Sequence, residues 1–357
     1  SRRISTPVHR VCFAFRRSAR FRGIMARIDL KGWMPVDAVV VDGRPGLAWM
    51  DMRGADFAEP FFQQTVDRVR AEHPEREERF TEFDTLVQLE KTFDSVAPTG
   101  FIFHSSRCGS TVLANACRAI TGSIVLSEPP SVDKVIARFV TDVDEHGTKE
   151  KLYSVFLRAI VKALGQRRTG DERRLFVKFA CCSVAQIERI RRIWPNVPWV
   201  FLYRDPVETI VSNVQSPPAW LLDEDRRVLA TITGTSIGAV AAMTIEELCA
   251  RAIGSFYRTA HLVANDRALL LNYSQLSVAE IAKVMQFFGV KPAATEMEII
   301  DRQSQTYSKS LAEMRPFVAD AAAKQRAASD RVREMADRWA GEPYRLLEQK
   351  RLEIQLS

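Results

Sequence analysis

The chain has 357 residues, 46% of them hydrophobic and 27% charged, which is enough to bury a sizeable core and too well mixed for a disordered or fibrous protein. Its formal net charge of +7 invites a nucleic-acid partner, but residues 1–27 hold eight arginines with no acidic residue or lysine, so the remainder sits at about −1 and no nucleic-acid surface is expected. No window approaches the roughly 18 uninterrupted apolar residues of a membrane helix, so no membrane span is expected, and six cysteines without CxxC spacing point to a reducing cytoplasm.

Residues 1–24 form an Arg-rich, acid-free arm that reads either as an organelle transit peptide or as sequence ahead of a natural start at Met25. No order is expected for it, and it is left out of the fold. Residues 25–97 read as a small α+β appendage: two short strands around a Gly/Pro turn in 38–52, an amphipathic helix over 59–72 with Pro60 at its first turn, and a charged run to Glu90 that reads as a solvated helix face or linker. From residue 98 the pattern changes. Apolar strands over 100–105, 124–128, 175–180, 198–204 and 268–273 alternate with helices from Ser110, over 184–194, 206–214 and 277–290. Continuous apolar strands between helices predict a doubly wound, mainly parallel sheet flanked by helices on both faces, an α/β domain over 98–357. Helices are expected over 151–168 and much of 225–265, and a charged terminal helix over 318–339.

The stretch 103-FHSSRCGST-111 lies where an open parallel sheet binds ligands, at a strand's carboxyl end feeding a helix start. Backbone N–H groups and the positive end of the helix dipole there favour phosphate or sulfate; Gly109 permits close approach, and Ser110 and Thr111 add hydroxyls. A nucleoside-triphosphate loop would carry lysine beside the hydroxyl residue that holds magnesium. Here Gly109 precedes Ser110 and the cation is Arg107, which disfavours that chemistry. Alone, the turn reads first as a tight strand-to-helix connection. A second stretch, 201-FLYRDPVETIVS-212, places Arg204 at a strand end, Asp205 at a helix cap and Pro206 at N1, with Glu208 and Ser212 on one helix face. Its simplest reading is Arg204 paired with a carboxylate at the cap.

Taken together, the two stretches resemble the sulfotransferase family that uses 3′-phosphoadenosine 5′-phosphosulfate (PAPS) and releases PAP. The resemblance spans roughly residues 98–310 and implies a P-loop nucleotide-binding fold. It implies that Arg107, Cys108, Gly109, Ser110 and Thr111 hold the 5′-phosphosulfate and that Arg204 and Ser212 hold the 3′-phosphate. Lys178, in 175-LFVKFA-180, corresponds to the lysine near the transferred group; Tyr273 falls beside the adenine; Glu128, in 126-LSEPPSV-132, falls where some branches carry a catalytic glutamate. Three features depart from the family. The histidine base of the cytosolic branch falls on Ala180, the loop's usual lysine is replaced by arginine followed by cysteine, and the C-terminal Gly- and Lys-rich segment that closes over the cofactor is absent, with Lys309 the candidate replacement.

The resemblance therefore implies in-line sulfuryl transfer to a hydroxyl or amine, with Glu128 as base, Arg107 and Lys178 neutralising charge on the leaving phosphate, and no metal required. Glu128 also fits a plain turn glutamate ahead of two prolines. His104 reads as a second base or as a packed residue bonding the loop backbone, and Cys108 as a thiol nucleophile only if exposed. A kinase-like phosphotransferase and a nucleotide-binding module without turnover remain alternatives. Whether the acceptor is a small molecule, carbohydrate or peptide is not legible, nor is the oligomeric state.

Overall fold

A computed structural model describes residues 29–142, 146–223, 225–304 and 320–356, with the backbone of Arg16–Arg17. Two sheets organise these residues. The first has the order β1 (Arg16–Arg17), β2 (Trp33–Val41), β3 (Arg44–Asp51), β4 (Glu78–Glu82). β2 and β3 form a hairpin closed by Asp42 and Gly43, whose φ angles of 50° and 79° are the paired left-handed values a two-residue turn requires. β4 takes the place, over Glu78–Glu82, of the solvated helix face or linker expected before Glu90. Its charged residues are partly exposed while Phe80 and Thr81 are buried, and the Trp49 indole N–H on β3 donates to Thr81 Oγ1 (2.8 Å). A charge-rich strand with one buried stretch has no period long enough to reveal it. Helix α1 (Phe62–Glu72) starts later than expected: Pro60 precedes the cap residue Phe61, whose N–H donates to Gln64 Oε1 (3.1 Å). Helix α2 (Phe83–Leu89) follows β4 directly.

The second sheet is parallel throughout, built from β5 (Pro98–His104), β6 (Ser123–Ser127), β7 (Arg174–Lys178), β8 (Trp199–Tyr203) and β9 (Ala268–Asn272) in the order β6-β7-β5-β8-β9. Neighbouring residues of each strand enter opposite cores. Ile102, Val200 and Phe176 face α3 (Ser110–Ala119), α11 (Val278–Phe287) and α12 (Ala294–Ser304). Phe101, Phe103 and Val177 face the other side, covered by α4 (Pro130–Thr141), α5 (Thr148–Leu164), α6 (Ile187–Ile193), α7 (Pro206–Gln215) and α10 (Ile245–Val263), with α8 (Arg227–Thr233) and α9 (Ile237–Ala242) beyond them. This two-sided cover is why the strands are apolar along their whole length.

Two expected helices are redrawn. The chain after β7 makes 3-10 turns over Cys181–Gln186, so α6 begins only at Ile187. The expected terminal helix divides into α13 (Ala321–Ala327) and α14 (Asp330–Ala336), because Ser329 caps α14 by accepting the Val332 N–H (3.2 Å); a wide turn over Asp337–Gly341 then leads to α15 (Glu342–Leu356). The first sheet rests on α4, where Lys134 Nζ meets Asp37 Oδ1 (2.6 Å) and Ser131 Oγ donates to the Pro35 carbonyl (2.7 Å). One apolar core runs from Trp33 and Trp49 through to Phe103.

Strand order sets the position of the site. β5 lies between β7 and β8; the chain leaves β5 through α3 on one face and β8 through α7 on the other. Connections departing from neighbouring strands on opposite faces open a crevice at their carboxyl ends.

Candidate functional site

Residues 105–109 form one wall of that crevice. The Ser105 N–H still pairs with the Leu202 carbonyl of β8 (3.0 Å), and the backbone then turns left-handed at Ser106 (φ 72°), Arg107 (51°) and Gly109 (82°) before α3 opens at Ser110. Left-handed residues in such close succession make a concave nest of N–H groups, here at the positive end of a helix dipole. Glycine is required at 109, since a Cβ would stand 2.6 Å from Leu276 Cδ2 and 3.1 Å from Tyr273 Cδ2. The nest is tied across the crevice to α7: Ser106 Oγ donates to Asn213 Oδ1 (3.1 Å) and the Arg107 guanidinium to the Ser216 carbonyl. Ser110 and Thr111 are buried in the first turn of α3. Cys108 points away. Its Sγ donates to the Leu202 carbonyl (3.2 Å), and burial pushes the thiol up to about 11, which removes it as a nucleophile.

At the neighbouring strand ends, register sets Ser127 beside Lys178, and the Glu128 N–H donates to the Lys178 carbonyl (2.7 Å). Glu128 has φ 54°, a left-handed value uncommon for a residue with a side chain and one that reverses the chain ahead of Pro129. The reversal aims its carboxylate at Lys178 Nζ, an ion pair, and at His104 Nε2 (3.3 Å). His104 Nδ1 accepts the Ser106 N–H (3.1 Å), so the ring bonds the loop backbone and joins the nest to the carboxylate. Burial pushes Glu128 up, but the Lys178 ammonium and the His104 ring outweigh it and hold the carboxyl at about 2. Lys178 is 1% exposed and its Nζ lies 4.7 Å from the Phe61 ring centroid, so the segment before α1 reaches this edge of the second sheet. Behind the pair, Asp133 Oδ1 accepts the Ala180 N–H (3.1 Å); burial and then the Glu128 charge push Asp133 up to about 8. One carboxyl is ionised and its neighbour protonated at neutral pH.

Arg204 forms the facing wall, 3% exposed at the end of β8. Its Nε donates to Glu208 Oε2 (2.7 Å) one turn into α7 and its Nη2 to Asp320 Oδ1 (2.6 Å), while the guanidinium lies 4.1 Å over the Tyr273 ring. Asp205 caps α7 by accepting the Glu208 N–H (3.1 Å), as its sequence position predicts. Ser212 is half-buried on α7, one turn beyond Glu208.

Several of the solved structures this chain resembles are sulfotransferases. They include the sulfotransferase domain of a Synechococcus olefin synthase (14% identity over 71% of this chain and 94% of that one, TM-score 0.37) and a sulfotransferase from Alicyclobacillus acidocaldarius (15%, 72% and 96%, TM-score 0.41). A mouse sulfotransferase complexed with PAP matches at 14% identity over 75% of this chain and 96% of that one, with TM-score 0.38. No family model matches the chain, and no curated protein does. Similarity this distant leaves the activity to the residues of the crevice. Among the described residues no group of three or more His, Cys, Asp or Glu side chains could hold a metal ion, and no helix is long and apolar enough to cross a membrane.

The structure gathers Arg107, Gly109, Ser110, Thr111, Glu128, Lys178, Arg204 and Tyr273 at the sheet's carboxyl edge, with Ser212 on α7 beside it, and turns the Cys108 side chain out of the crevice. Lys309 lies outside the described residues. Sequence reasoning missed Asp133, Asp320 and Lys324, which reach this edge from α4 and α13. Asp133 lies five residues after Glu128 at the buried face of an amphipathic helix, and an aspartate in so apolar a run, 130-PSVDKVIARFV-140, was the available signal. Asp320 and Lys324 had none.

Proposed function

We propose that the chain is a PAPS-dependent sulfotransferase that acts on a hydroxyl or amine acceptor. The observation that carries this reading is the meeting, in one crevice, of the Lys178–Glu128 pair with the nest of residues 105–109 and with buried Arg204. These residues fit the donor. The nest suits a 5′-phosphosulfate, Gly109 leaves room where a Cβ would not fit, Arg204 and Ser212 suit the 3′-phosphate, and the Tyr273 ring, already stacked beneath a guanidinium, suits the adenine side.

When bound, PAPS supplies a sulfuryl group whose S–O bond to the 5′-phosphate breaks as the acceptor oxygen or nitrogen bonds to sulfur, with PAP leaving. Glu128 takes the acceptor proton. Lys178 and Arg107 neutralise charge on the leaving side, and positioned cations in a water-poor crevice are effective at that task. Held at about 2, Glu128 is too weak a base for efficient proton transfer near neutrality. If Lys178 turns from Glu128 toward the leaving phosphate, the same movement lets the Glu128 pKa rise, so one lysine couples donor binding to base activation. His104 keeps the carboxylate aimed, since its Nδ1 is held by the Ser106 N–H and its Nε2 lies 3.3 Å from Glu128 Oε1. Phe61 offers an apolar wall at the transfer point, which favours an acceptor with a ring or alkyl body; a small molecule, carbohydrate or peptide supplies one. No metal enters this scheme. The five described cysteines are buried and unpaired, in keeping with a reducing, cytoplasmic setting.

Calorimetric titration with PAP, with and without competing Mg-ATP, tests the donor site; label transfer from PAPS over sugars, phenols, lipids and peptides then tests turnover. PAP is expected to bind and Mg-ATP to compete poorly. Equal or tighter binding of Mg-ATP would favour a phosphotransferase, and PAP binding without transfer to any acceptor a binding module.

A further inference from the structure

The Arg204 guanidinium already holds an anion, and that anion belongs to the chain itself. Asp320, immediately before α13, places Oδ1 2.6 Å from Arg204 Nη2 and Oδ2 2.6 Å from Lys324 Nζ, so a single carboxylate bridges two cations. Burial pushes the Asp320 carboxyl up, but Lys324 and Arg204 outweigh it and keep it ionised. Lys324 is largely buried, and burial together with the nearby charges of Arg204 and Arg107 disfavours its ammonium, which Asp320 in turn supports. Removing Asp320 would leave Arg204 and Lys324, the two cations it bridges, facing one point, with Glu208 as the described carboxylate on Arg204 and the Arg107 charge adding to the field at Lys324. Two cations that already grip two oxygens of one anion suit a phosphate, which offers the same pair of charged oxygens. The helix itself is anchored to α7 through Gln325 Nε2, which donates to Asp205 Oδ1 (3.0 Å).

We infer that Asp320 is a built-in stand-in for a phosphate group on the Arg204 seat, and that Lys324 is a further anion-binding residue of that seat, freed when a ligand phosphate displaces the carboxylate. In assigning the phosphate to the 3′ position of PAP, this rests on the sulfotransferase reading. The seat alone does not. Because an internal competitor reduces apparent affinity by the fraction of molecules whose seat is open, removing the acid should tighten binding, the opposite of what loss of an ordinary contact does.

The test is calorimetry with PAP and with AMP, which lacks the 3′-phosphate, on wild type, Asp320→Asn and Lys324→Gln, with unliganded melting temperatures as the control for folding. Asp320→Asn should bind PAP about three- to tenfold more tightly and AMP unchanged, and Lys324→Gln should bind PAP about tenfold more weakly. Unchanged or weaker PAP binding in a folded Asp320→Asn would overturn the inference. A thermal-shift titration with inorganic phosphate separates it from the function: if wild type binds no PAP, yet phosphate stabilises Asp320→Asn more than wild type and Asp320→Asn/Lys324→Gln less, the seat stands and the sulfotransferase reading falls. Phosphate stabilising all three proteins equally would remove the seat as well.

Discussion

At the residue scale, Glu128 carries the most chemistry in the crevice. Glu128→Gln keeps its size and its bonds to Lys178 and His104 within reach while removing the proton acceptor, so PAP binding should persist and turnover should fall by about two to four orders of magnitude. Near-normal turnover in single-turnover transfer from PAPS would exclude Glu128 as the base. The Lys178 ammonium leads the His104 ring in lowering the Glu128 pKa against the upward push of burial. With Lys178→Met that restraint is gone, and the acid limb of the turnover profile should move to higher pH; a pH–rate series in which the limb stays in place would assign it to another group. Asp133 acts on stability. Its carboxyl titrates at about 8 in the folded chain against an ordinary value of 3.8, so the stability it contributes is complete below 3.8 and is lost as pH rises through about 8. Asp133→Asn should therefore flatten the decline of melting temperature across that window and raise it near pH 8, and a wild-type decline that survives the substitution would place the titrating group elsewhere.

At the scale of the element, the start of α3 is where conformation and chemistry meet. Gly109→Ala forces an L side chain into a left-handed position at about 1–2 kcal/mol and drives a Cβ to 2.6 Å from Leu276 Cδ2. Both melting temperature and PAP affinity should fall, because relieving the contact moves Leu276 and Tyr273 against the ligand's path; intact affinity would show that the nest does not contact the nucleotide. Elements whose pattern is dictated by burial on both faces, β5 to β9 and the helices α3, α7 and α11, were legible in the sequence within a few residues. β4 was not. Its residues 78-ERFTE-82 pair with β3, where the Trp49 indole supplies Thr81 with a partner from 32 residues away in the chain, and no local property of a charged pentapeptide reports that. The break between α13 and α14 is a similar case, since a run rich in alanine and charge favours one long helix and a single capping serine divides it.

At the scale of the whole molecule, the two sheets share one apolar core and meet at α4, where Lys134 is 3% exposed and depends on Asp37 for its counter-charge. Asp37→Ala leaves that ammonium with the Ala38 carbonyl alone and should destabilise the fold by about 2–4 kcal/mol, visible as an earlier midpoint in a single calorimetric transition; a separate low-temperature transition for the N-terminal sheet would mean that the core is divided. The sequence by itself determined the class of fold, through apolar strands alternating with helices, and the two motifs whose backbone chemistry is local: a strand-to-helix turn that needs glycine, and an Asp-Pro cap that ends the strand carrying Arg204. The tertiary structure alone decided which groups face one another. His104, Glu128 and Lys178 come from three strands and converge only because the order β6-β7-β5 sets those strand ends side by side, and Asp320 reaches Arg204 from 116 residues away. Charge pairing of that kind depends on distance in space, which falls steeply in effect within a few ångströms and bears no relation to separation along the chain.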